Sequence, residues 1–301
     1  MRHREVDKLR GTYGEGLLAE VAADGRIHAT FHQTVARTGR LSSDRPNLHN
    51  IPVRTEEGRV FRTAFRPTDG HRLLVADYNQ IELRCIAHLA ADPGLIAAFT
   101  AGEDIHRATA ARVFEVDPGD VTVDQRSKAK MVSYGLAYGM EAYGLGQRLA
   151  IPTDEAAGIL AAYFEAFPNV REYMDTTVAE ARTNGFTETL FGRRRPVPEL
   201  LDSNWRVRQA GERQAMNAGI QGLAADIFKV ALVRIDDALD SAGHSARLVL
   251  QVHDEVLVEV PEDECDAVGP LVIELMRGAA SLDVPLEVNV AWGDTWAAAK
   301  S

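Results

Sequence analysis

Cysteine is scarce in this sequence. The 301 residues include only two cysteines, Cys85 and Cys265, which lie far apart and show no metal-ligand spacing, so we interpret them as reduced thiols of a cytosolic protein. Long apolar runs are missing too, because no stretch approaches the ~18 consecutive apolar residues of a membrane span. The opening residues MRHREVDKLRG are too charged for a secretory signal. Internal repeats and low-complexity segments are also absent, so we expect a globular protein of one large or two smaller domains.

Positive charge is in short supply as well. The net charge is −11, which at first argues against a nucleic-acid partner. Most of this negative charge lies in one segment, however, because residues 254–301 hold 11 acids and 2 bases. In contrast, residues 35–66 hold 7 arginines and 3 acids, and residues 193–213 hold 6 arginines and 3 acids. Any one arginine usually just solvates a surface, but two separate arginine-rich blocks favour a phosphate-bearing partner.

Apolar patterns predict strands near both ends of the chain and helices between them. Predicted strands lie at 25–31, 71–77, 246–252, 255–260 and 284–293, with turn and strand character at 185–200. Predicted helices lie at 78–90, from 93 to about 181, at 204–243 with breaks near Gly219 and Gly222, and at 262–280. The stretch 38–54, rich in Gly, Ser, Asn and Pro, predicts a loop. This layout predicts an α+β fold, in which a sheet flanked by helices carries an inserted helical subdomain.

Two acids stand at the ends of predicted strands. In LVLQVHDEVLVEV, His253 and Asp254 separate two apolar strands, which predicts a two-residue hairpin turn. Aspartate is a common turn residue, and an isolated hairpin would need no other explanation. Asp77, however, also ends an apolar strand, so the two acids would lie side by side in one sheet. Paired carboxylates repel unless a cation lies between them, and Mg²⁺ binds carboxylate oxygens together with water and substrate phosphates. The pair therefore indicates phosphoryl-transfer chemistry.

The stretch DQRSKAKMVSYGLAYGM carries a matching pattern. Its four-residue spacing places Arg126, Lys130, Tyr134 and Tyr138 on one stripe of a helix. Two cations followed by two aromatic rings suit a nucleoside triphosphate. A helix with a solvated basic end and two tyrosines in the core would show the same sequence pattern. Gly135 and Gly139 each cost about 1 kcal/mol in a helix interior, which indicates a close approach or a helix end.

Several stretches together resemble the family A DNA polymerases, the bacterial DNA polymerase I type. DYNQIELR (77–84), RSKAKMVSYGLAYG (126–139) and QVHDE (251–255) resemble the family's motifs A, B and C. Further matching segments are TGRLSSDRPNLHNIPVRTEEG (38–58), GEDIHR (102–107), TLFGRRR (189–195) and NAGIQGLAADI (217–227). They follow the family's order and spacing over about residues 4–296. Each motif alone is of limited specificity, but the set is very specific.

The resemblance implies roles for the residues that match. Asp77, Asp254 and the backbone carbonyl of Tyr78 would bind two Mg²⁺ ions, and Glu255 would support the metal site and the primer end. The nucleotide site would comprise Arg126 and Lys130 at the triphosphate, His106 near the β-phosphate, Tyr134 and Tyr138 at the sugar and bases, Glu82 at the ribose 2′ position and Gln80 beside it. Lys130 would also be catalytic.

Contacts to the primer–template duplex are implied as well. They would come from Arg40, Asn47, Asn50, Arg213, Asn217, Gln221 and His253. The minor groove offers similar acceptors for every base pair, so such contacts can check pair shape without reading sequence. The sequence departs from the family at Asn79, usually Ser, at His49, usually Gln, at Gly219, usually Pro, and at Tyr134, where many members have Phe.

The resemblance also implies a division into subdomains. Residues 1–24 would be a thumb remnant and leading segment, 25–90 and 204–301 the palm with an antiparallel sheet, and 91–203 the helical fingers. Because only HREVDKLRGTY resembles the thumb, one expected partner is a protein that supplies a thumb-like grip on the duplex. A bacterial, cytoplasmic, nucleoid-associated enzyme of DNA replication and repair is implied.

Four functions fit parts of these observations. The first is a DNA-templated DNA polymerase, which adds dNTPs to a primer. The second is a non-catalytic fragment that binds primer–template DNA but is inactive for lack of a thumb. A metal-dependent nuclease would use the acids but not Lys130 and Tyr134 in this arrangement. A single-subunit RNA polymerase would share the palm, but Glu82 at the sugar position favours deoxynucleotides.

Overall fold

The main sheet has four antiparallel strands in the computed structural model, which describes residues 7, 9–51 and 56–300. The strands along the chain are β1 (Thr30–His32), β2 (Ser42–Asp44), β3 (His71–Tyr78), β4 (Phe186–Glu188), β5 (Arg194–Pro196), β6 (Arg247–Val252), β7 (Glu255–Pro261) and β8 (Val288–Gly293). The main sheet has the order β6-β7-β3-β8, while β1 pairs with β2 and β4 with β5. The early strand β3 thus lies between the late strands β7 and β8, so the sheet is built from both ends of the chain, as predicted.

Helices make up most of the rest of the chain. They are α1 (Gly16–Ala19), α2 (Glu56–Arg62), α3 (Ile81–Leu89), α4 (Pro93–Thr100), α5 (Ile105–Val113), α6 (Val123–Ala137), α7 (Ala142–Leu149), α8 (Thr153–Ala166), α9 (Pro168–Asn184), α10 (Trp205–Ala242) and α11 (Cys265–Arg277). Within the described part of the chain, no helix combines the length and the apolar character needed to cross a membrane.

Residue contacts divide the chain into two units. Unit 1 comprises residues 1–79, 227–279 and 287–301 and contains the main sheet. Unit 2 comprises residues 80–226 and 280–286 and contains helices α3 to α9. A helical unit is therefore inserted into the chain of a sheet-bearing unit, which confirms the predicted α+β class. The finer subdomain boundaries at 24, 90 and 203 remain a prediction.

The core of unit 1 explains why its strands are continuous apolar runs. Six consecutive residues of β7 are buried, as are residues 73–76 of β3, so both faces of the central strands are covered. One side of this core is a cluster that comprises Leu17, Leu48, Ile51, Leu73, Val75, Leu250, Val252, Leu257, Trp296 and Ala299. Val and Leu suit such strands because branched side chains pack well on a pleated surface.

Local signals in the sequence start and end the helices of unit 2. The side chains of Asp92 and Asp104 accept hydrogen bonds from backbone N–H groups in the first turns of α4 and α5, and Thr122 forms a capping box with Gln125 at the start of α6. These caps satisfy N–H groups that have no partner within the helix. Helix α6 ends at Ala137, just before Gly139, whose φ is +67°.

Three predictions of secondary structure are wrong in detail. Helix α10 is continuous over 38 residues, whereas breaks were predicted at Gly219 and Gly222. A side chain at Gly219 would meet the Tyr173 hydroxyl at 2.3 Å, so this glycine serves a close approach. The strand predicted at 25–31 is confined to Thr30–His32. The loop predicted at 38–54 contains β2 and a 3₁₀ turn at Leu48–Asn50.

A few predictions fall on residues outside the described ranges. These are residues 52–54 of the loop and residues 1–6 and 8 of the expected thumb remnant. Residues 9–19 of that remnant are helical, with a π-helical stretch at Arg10–Glu15 followed by α1, whereas residues 20–24 are not helical.

Candidate active site

The acids of unit 1 meet where β3 pairs with β7. Asp77 lies directly opposite Glu255 in the antiparallel ladder, and the Tyr78 N–H donates a hydrogen bond of 3.1 Å to the Asp254 carbonyl. Asp77 and Asp254 are both half-buried. The register therefore places Asp77 beside the hairpin tip that carries Asp254, as predicted from the two strand ends.

The hairpin tip consists of His253 and Asp254, because Val252 pairs with Glu255. His253 has a φ of +54°, in the left-handed region that favours glycine. A non-glycine residue in this region carries strain of about 1–3 kcal/mol and persists only where its surroundings fix it. The Arg40 guanidinium is 3.8 Å from the Asp254 carboxylate. A cation thus accompanies the acid at the tip.

Glu255 has a different environment from its neighbour. Its side chain is buried, accepts a 2.9 Å hydrogen bond from the Trp296 indole and lies 3.7 Å from the Arg62 guanidinium. Arg62 stacks over Trp296 at 3.9 Å from the ring centroid. Burial lowers the pKa of Arg62, and the charge of Glu255 opposes this effect. No local sequence pattern marks Arg62 or Trp296 as residues of this site.

Among the predicted DNA-contact residues of unit 1, Arg40 and His253 lie at the tip, while Asn47 and Asn50 flank His49, which contacts the hairpin. His49 forms a 2.9 Å hydrogen bond with the Gln251 carbonyl, and its ring lies 5.8 Å from that of His253. Burial lowers the pKa of His49, and the nearby His253 adds to this effect. Asn47 accepts a hydrogen bond from the His49 N–H and caps the 3₁₀ turn. Asn50 is exposed, and its carbonyl accepts a hydrogen bond from Tyr13. The loop 38–51 is thus ordered against the hairpin.

The donor set at the tip fits a hard divalent cation. Among the described residues, no group of three or more His, Cys, Asp or Glu side chains forms a metal site by itself. Mg²⁺, however, is usually bound by one or two carboxylates, with water and substrate phosphates completing its shell. Asp77 and Asp254 supply two partly exposed carboxylates on backbone segments that the Tyr78 hydrogen bond joins, which is the kind of protein contribution that such an ion requires.

Helix α6 of unit 2 presents the predicted stripe. Ala129, Val132 and Leu136 are buried, whereas Arg126 and Tyr134 are half-buried and Lys130 and Tyr138 exposed. The stripe therefore lies on the helix face away from the core. Arg126 forms a 2.8 Å ion pair with Asp104, the residue that caps α5. This pair fixes the first cation of the stripe.

His106 lies beside the stripe at the start of α5. Its ring is 5.6 Å from that of Tyr134, and its side chain is buried. Burial, followed by the positive charges of Lys130 and Arg126, lowers the pKa of His106 to about 4. The imidazole is therefore neutral at physiological pH, and it can donate or accept one hydrogen bond at each nitrogen as its tautomer dictates.

The end of α6 is held by two other helices of unit 2. The Tyr138 hydroxyl donates hydrogen bonds of 3.0 and 3.3 Å to the two carboxylate oxygens of Glu82 in α3. Gln221 of α10 donates a 3.2 Å hydrogen bond to the Ala137 carbonyl. Gln80 caps α3 with left-handed backbone, at φ +54°. The predicted sugar-site residue Glu82 is thus buried and oriented by Tyr138.

The remaining predicted DNA-contact residues lie on α10. Gly139 packs so closely on this helix that a Cβ would come within 2.7 Å of the Asn217 amide nitrogen. Arg213 pairs with Glu141 at 3.1 Å. The buried Asn217 Oδ1 accepts no hydrogen bond within the part of the chain that the structure describes. Gly139 therefore does serve a close approach, as its position in the pattern predicted.

The arginine-rich blocks carry less available charge than their composition indicates. In the second block, Arg193 pairs with Asp226 at 2.7 Å and Arg194 pairs with Glu188. In the first block, Arg62 is buried against Glu255. These arginines stabilise the fold, so a phosphate-binding surface would rest on the others.

The model of DNA polymerase family A matches residues 1–298. The chain belongs to this family. As a family A chain, it is 53% identical over 300 residues to DNA polymerase I of Mycobacterium bovis, covering 99% of this chain and 33% of the relative. DNA polymerase I of Pseudomonas aeruginosa is 50% identical over 297 residues, covering 98% and 32%.

A solved structure is similar to this family A chain over nearly its whole length. It is the POL domain of Pol1 from M. smegmatis in complex with DNA primer-template and dNTP, with a TM-score of 0.95 and 53% identity. The match covers 99% of this chain and 53% of that one. The chain therefore spans about a third of the curated relatives and about half of the solved polymerase domain.

Proposed function

We propose that this chain is the catalytic region of a DNA-templated DNA polymerase, acting in bacterial DNA replication and repair. In this reaction the primer 3′-oxygen bonds to the α-phosphorus of a dNTP, and the bond to the β-phosphate breaks to release pyrophosphate. The observation that carries the proposal is the adjacency of Asp77 and Asp254 across the β3–β7 ladder in a chain that belongs to family A.

Asp77, Asp254 and the Tyr78 carbonyl would hold two Mg²⁺ ions. Bound there, the ions would activate the primer hydroxyl and neutralise the leaving pyrophosphate. The ladder and the turn at His253 hold the backbone of both acids, which supports the preorganisation that such chemistry would require. Glu255 would support this arrangement from beneath.

Unit 2 would bind the incoming nucleotide through the stripe of α6. Arg126 and Lys130 would hold the triphosphate, with the neutral His106 donating a hydrogen bond near the β-phosphate. Tyr134 would pack on the sugar and base, and Tyr138 would lie near the templating base. Glu82, oriented by Tyr138 at 3.0 Å, would close the ribose 2′ position, with Gln80 beside it.

Primer–template contacts would complete the function. The residues proposed for them are Arg40, Asn47, Asn50, His253, Arg213, Asn217 and Gln221. Residues 25–90 and 204–301 would form the palm and 91–203 the fingers. The polymerase would work in the cytoplasm at the nucleoid.

Primer extension tests the proposal. The purified chain should extend a labelled primer on a longer template with Mg²⁺ and dNTPs, and Asp77→Asn and Asp254→Asn should each nearly abolish extension. A variant that retains more than about a tenth of the rate, a barrier change below ~1.4 kcal/mol, would contradict the assignment. Asp263→Asn, at an exposed residue, is the matched control and should extend normally.

Duplex binding, measured by fluorescence anisotropy in parallel, separates the alternative function. Binding without extension by the wild type would identify a non-catalytic primer–template fragment. Both aspartate variants should still bind the duplex, because neither carboxylate is proposed to contact it.

A further inference from the structure

A buried cluster behind the hairpin tip joins three parts of the chain. Arg62, Glu255 and Trp296 are 3%, 1% and 0% exposed. The Trp296 indole N–H and the Arg62 guanidinium both approach the same carboxylate oxygen of Glu255, at 2.9 and 3.7 Å. Arg62 also stacks on Trp296 at 3.9 Å. Each member thus contacts the other two.

Arg62 and Trp296 are tied together independently of Glu255. The backbone N–H of Trp296 donates to the Phe65 carbonyl at 2.9 Å, and that of Ala297 donates to the Arg62 carbonyl at 3.3 Å. The Phe65 ring packs edge-on against Trp296 with the centroids 5.4 Å apart. These contacts, none of which involves the Glu255 side chain, form a cradle, defined here as Arg62, Phe65 and Trp296.

The buried positive charge of the cradle requires a carboxylate as its partner. Nε and Nη1 of Arg62 are buried and donate no hydrogen bond to any described residue, although Nη1 lies 3.7 Å from Glu255. Guanidinium groups are weakly hydrated and stack well on aromatic faces, so the indole face can hold the cation without hydrogen bonds. Glu255 is the acid that balances this charge. Without it, a buried cation would be left uncompensated, which is strongly destabilising.

The cradle is linked to the candidate metal ligands through the backbone. Glu255 is the first residue of β7, follows Asp254 and lies opposite Asp77. Its partner across the hairpin is Val252, so it closes the turn that presents Asp254. A shift of the Glu255 side chain would therefore move the base of this turn, and misplacement by 1 Å can cost about 10²-fold in rate.

We propose that Arg62 and Trp296 are positioning residues, which anchor Glu255 and thereby fix Asp254 beside Asp77 for nucleotidyl transfer. This inference rests on the proposed polymerase function. Neither residue contacts substrate in it. Their effect is on the chemical step, so kcat should respond while the binding of dNTP and primer–template should not.

Trp296→Phe is the decisive variant, since it keeps an aromatic ring beneath Arg62 while it removes the indole donor and part of the buried ring volume. We expect kcat to fall about 10- to 100-fold, the range for residues that orient metal ligands, with the KM for dNTP and the DNA Kd within about twofold. Arg62→Met is the second variant, and if it fails to fold, Arg62→Met/Glu255→Gln removes both buried charges together. Arg72→Met, which loses an exposed pair with Asp294 in the same C-terminal segment, is the control and should match the wild type.

A double-mutant cycle separates positioning from general loosening. In a Glu255→Gln background, Trp296→Phe should cause little further loss of kcat, because the carboxylate it holds is already gone. Equal losses in both backgrounds would overturn the proposal, as would an effect confined to KM or DNA affinity.

A spectroscopic readout tests the positioning role of Arg62 and Trp296 separately from the proposed polymerase function. The chain has three tryptophans, so ¹⁵N-labelled protein gives three indole N–H signals. Glu255→Gln should shift the Trp296 signal and speed its hydrogen exchange, and Arg72→Met should change neither. If the wild type extends no primer, the polymerase function fails, yet a Trp296 signal that responds to Glu255→Gln would still support the cradle. If Glu255→Gln leaves the Trp296 signal unchanged, the proposed anchoring of Glu255 is wrong, whether or not the protein extends primers.

Discussion

The hydroxyl of Tyr138 donates a hydrogen bond of 3.0 Å to the buried carboxylate of Glu82. The contact links the end of α6 to the first turn of α3. Because a bond to a carboxylate contributes about 1.5–3 kcal/mol, Tyr138 fixes the direction of the side chain that is proposed to exclude the ribose 2′-hydroxyl.

Glu82→Ala should therefore admit ribonucleotides. We expect the ratio of kcat/KM for rNTP over dNTP to rise about 10- to 200-fold, the range for adding or removing a small group in a tight pocket. Tyr138→Phe should raise the ratio less, since the carboxylate remains but loses its donor. Glu172→Ala, at an exposed residue of α9, serves as the control. An unchanged ratio in Glu82→Ala would contradict the assignment of Glu82 to the ribose 2′ position.

Tyr134 should make the protein tolerant of dideoxynucleotides. A phenolic hydroxyl can replace a hydrogen bond that is lost with the missing 3′-hydroxyl, worth about 0.5–1.5 kcal/mol. Tyr134→Phe should therefore lower the ddNTP to dNTP ratio of kcat/KM about two- to tenfold. Competition assays measure this ratio, and Tyr143→Phe, at a residue that is 68% exposed, should leave it unchanged. Strong rejection of ddNTPs by the wild type would contradict the prediction.

His106 should titrate far below an ordinary histidine. Its pKa of about 4, against 6.5 normally, results from burial and then from Lys130 and Arg126. Between pH 6.5 and 4 the unfolded chain binds the proton and the folded chain does not, so this residue lowers stability as the pH falls through that window. NMR titration of the imidazole checks the value, and Lys130→Met should raise it. Titration near pH 6.5 would show that the ring is not buried as described.

Glu259 should stabilise the fold in its ionised form, so its contribution to stability should fall as the pH falls. It accepts hydrogen bonds from Thr68 and Arg26 and pairs with Arg247. Burial alone would raise its pKa, but the bonds from Thr68 and Arg26 outweigh burial and hold the pKa at about 2.

A depressed folded-state pKa means that this stabilisation is complete above pH 4.5 and is lost as the pH falls toward 2. Its size is on the order of 3 kcal/mol. Glu259→Gln should therefore lower Tm at pH 7, and the difference from the wild type should shrink between pH 4.5 and 3. Glu262→Gln, at an exposed residue, should show no difference at either pH.

The elements that hold the acids could be predicted because their signals are local. β3, β6, β7 and the turn at His253 and Asp254 follow from apolar runs separated by polar residues. The pairing of Asp77 opposite Glu255 is a register between distant segments, and the strand ends alone indicated only that the acids would be neighbours. The resemblance to family A supplied the roles, which no spacing in this chain would give.

Arg62 shows where sequence reasoning failed. By composition it belongs to a basic block, yet it is buried against an indole from the other end of the chain. Burial of one arginine among seven depends on tertiary packing, which local pattern does not encode. The predicted breaks in helix α10 were wrong for a similar reason. A cost of about 1 kcal/mol for each glycine is outweighed by the close packing of Gly219 on Tyr173 and of Gly222 on Thr189.

The two-residue turn at His253 and Asp254 limits how this protein can evolve. The flanking strands are buried on both sides of the turn, with Val252 and Glu255 paired, and side chains alternate between faces at every residue. An insertion or deletion of one residue would invert one strand and place Glu255 away from Trp296. A change of length between Val252 and Glu255 would therefore disrupt this pairing, whereas β6 accommodates one extra residue farther from the tip, between Leu248 and Leu250.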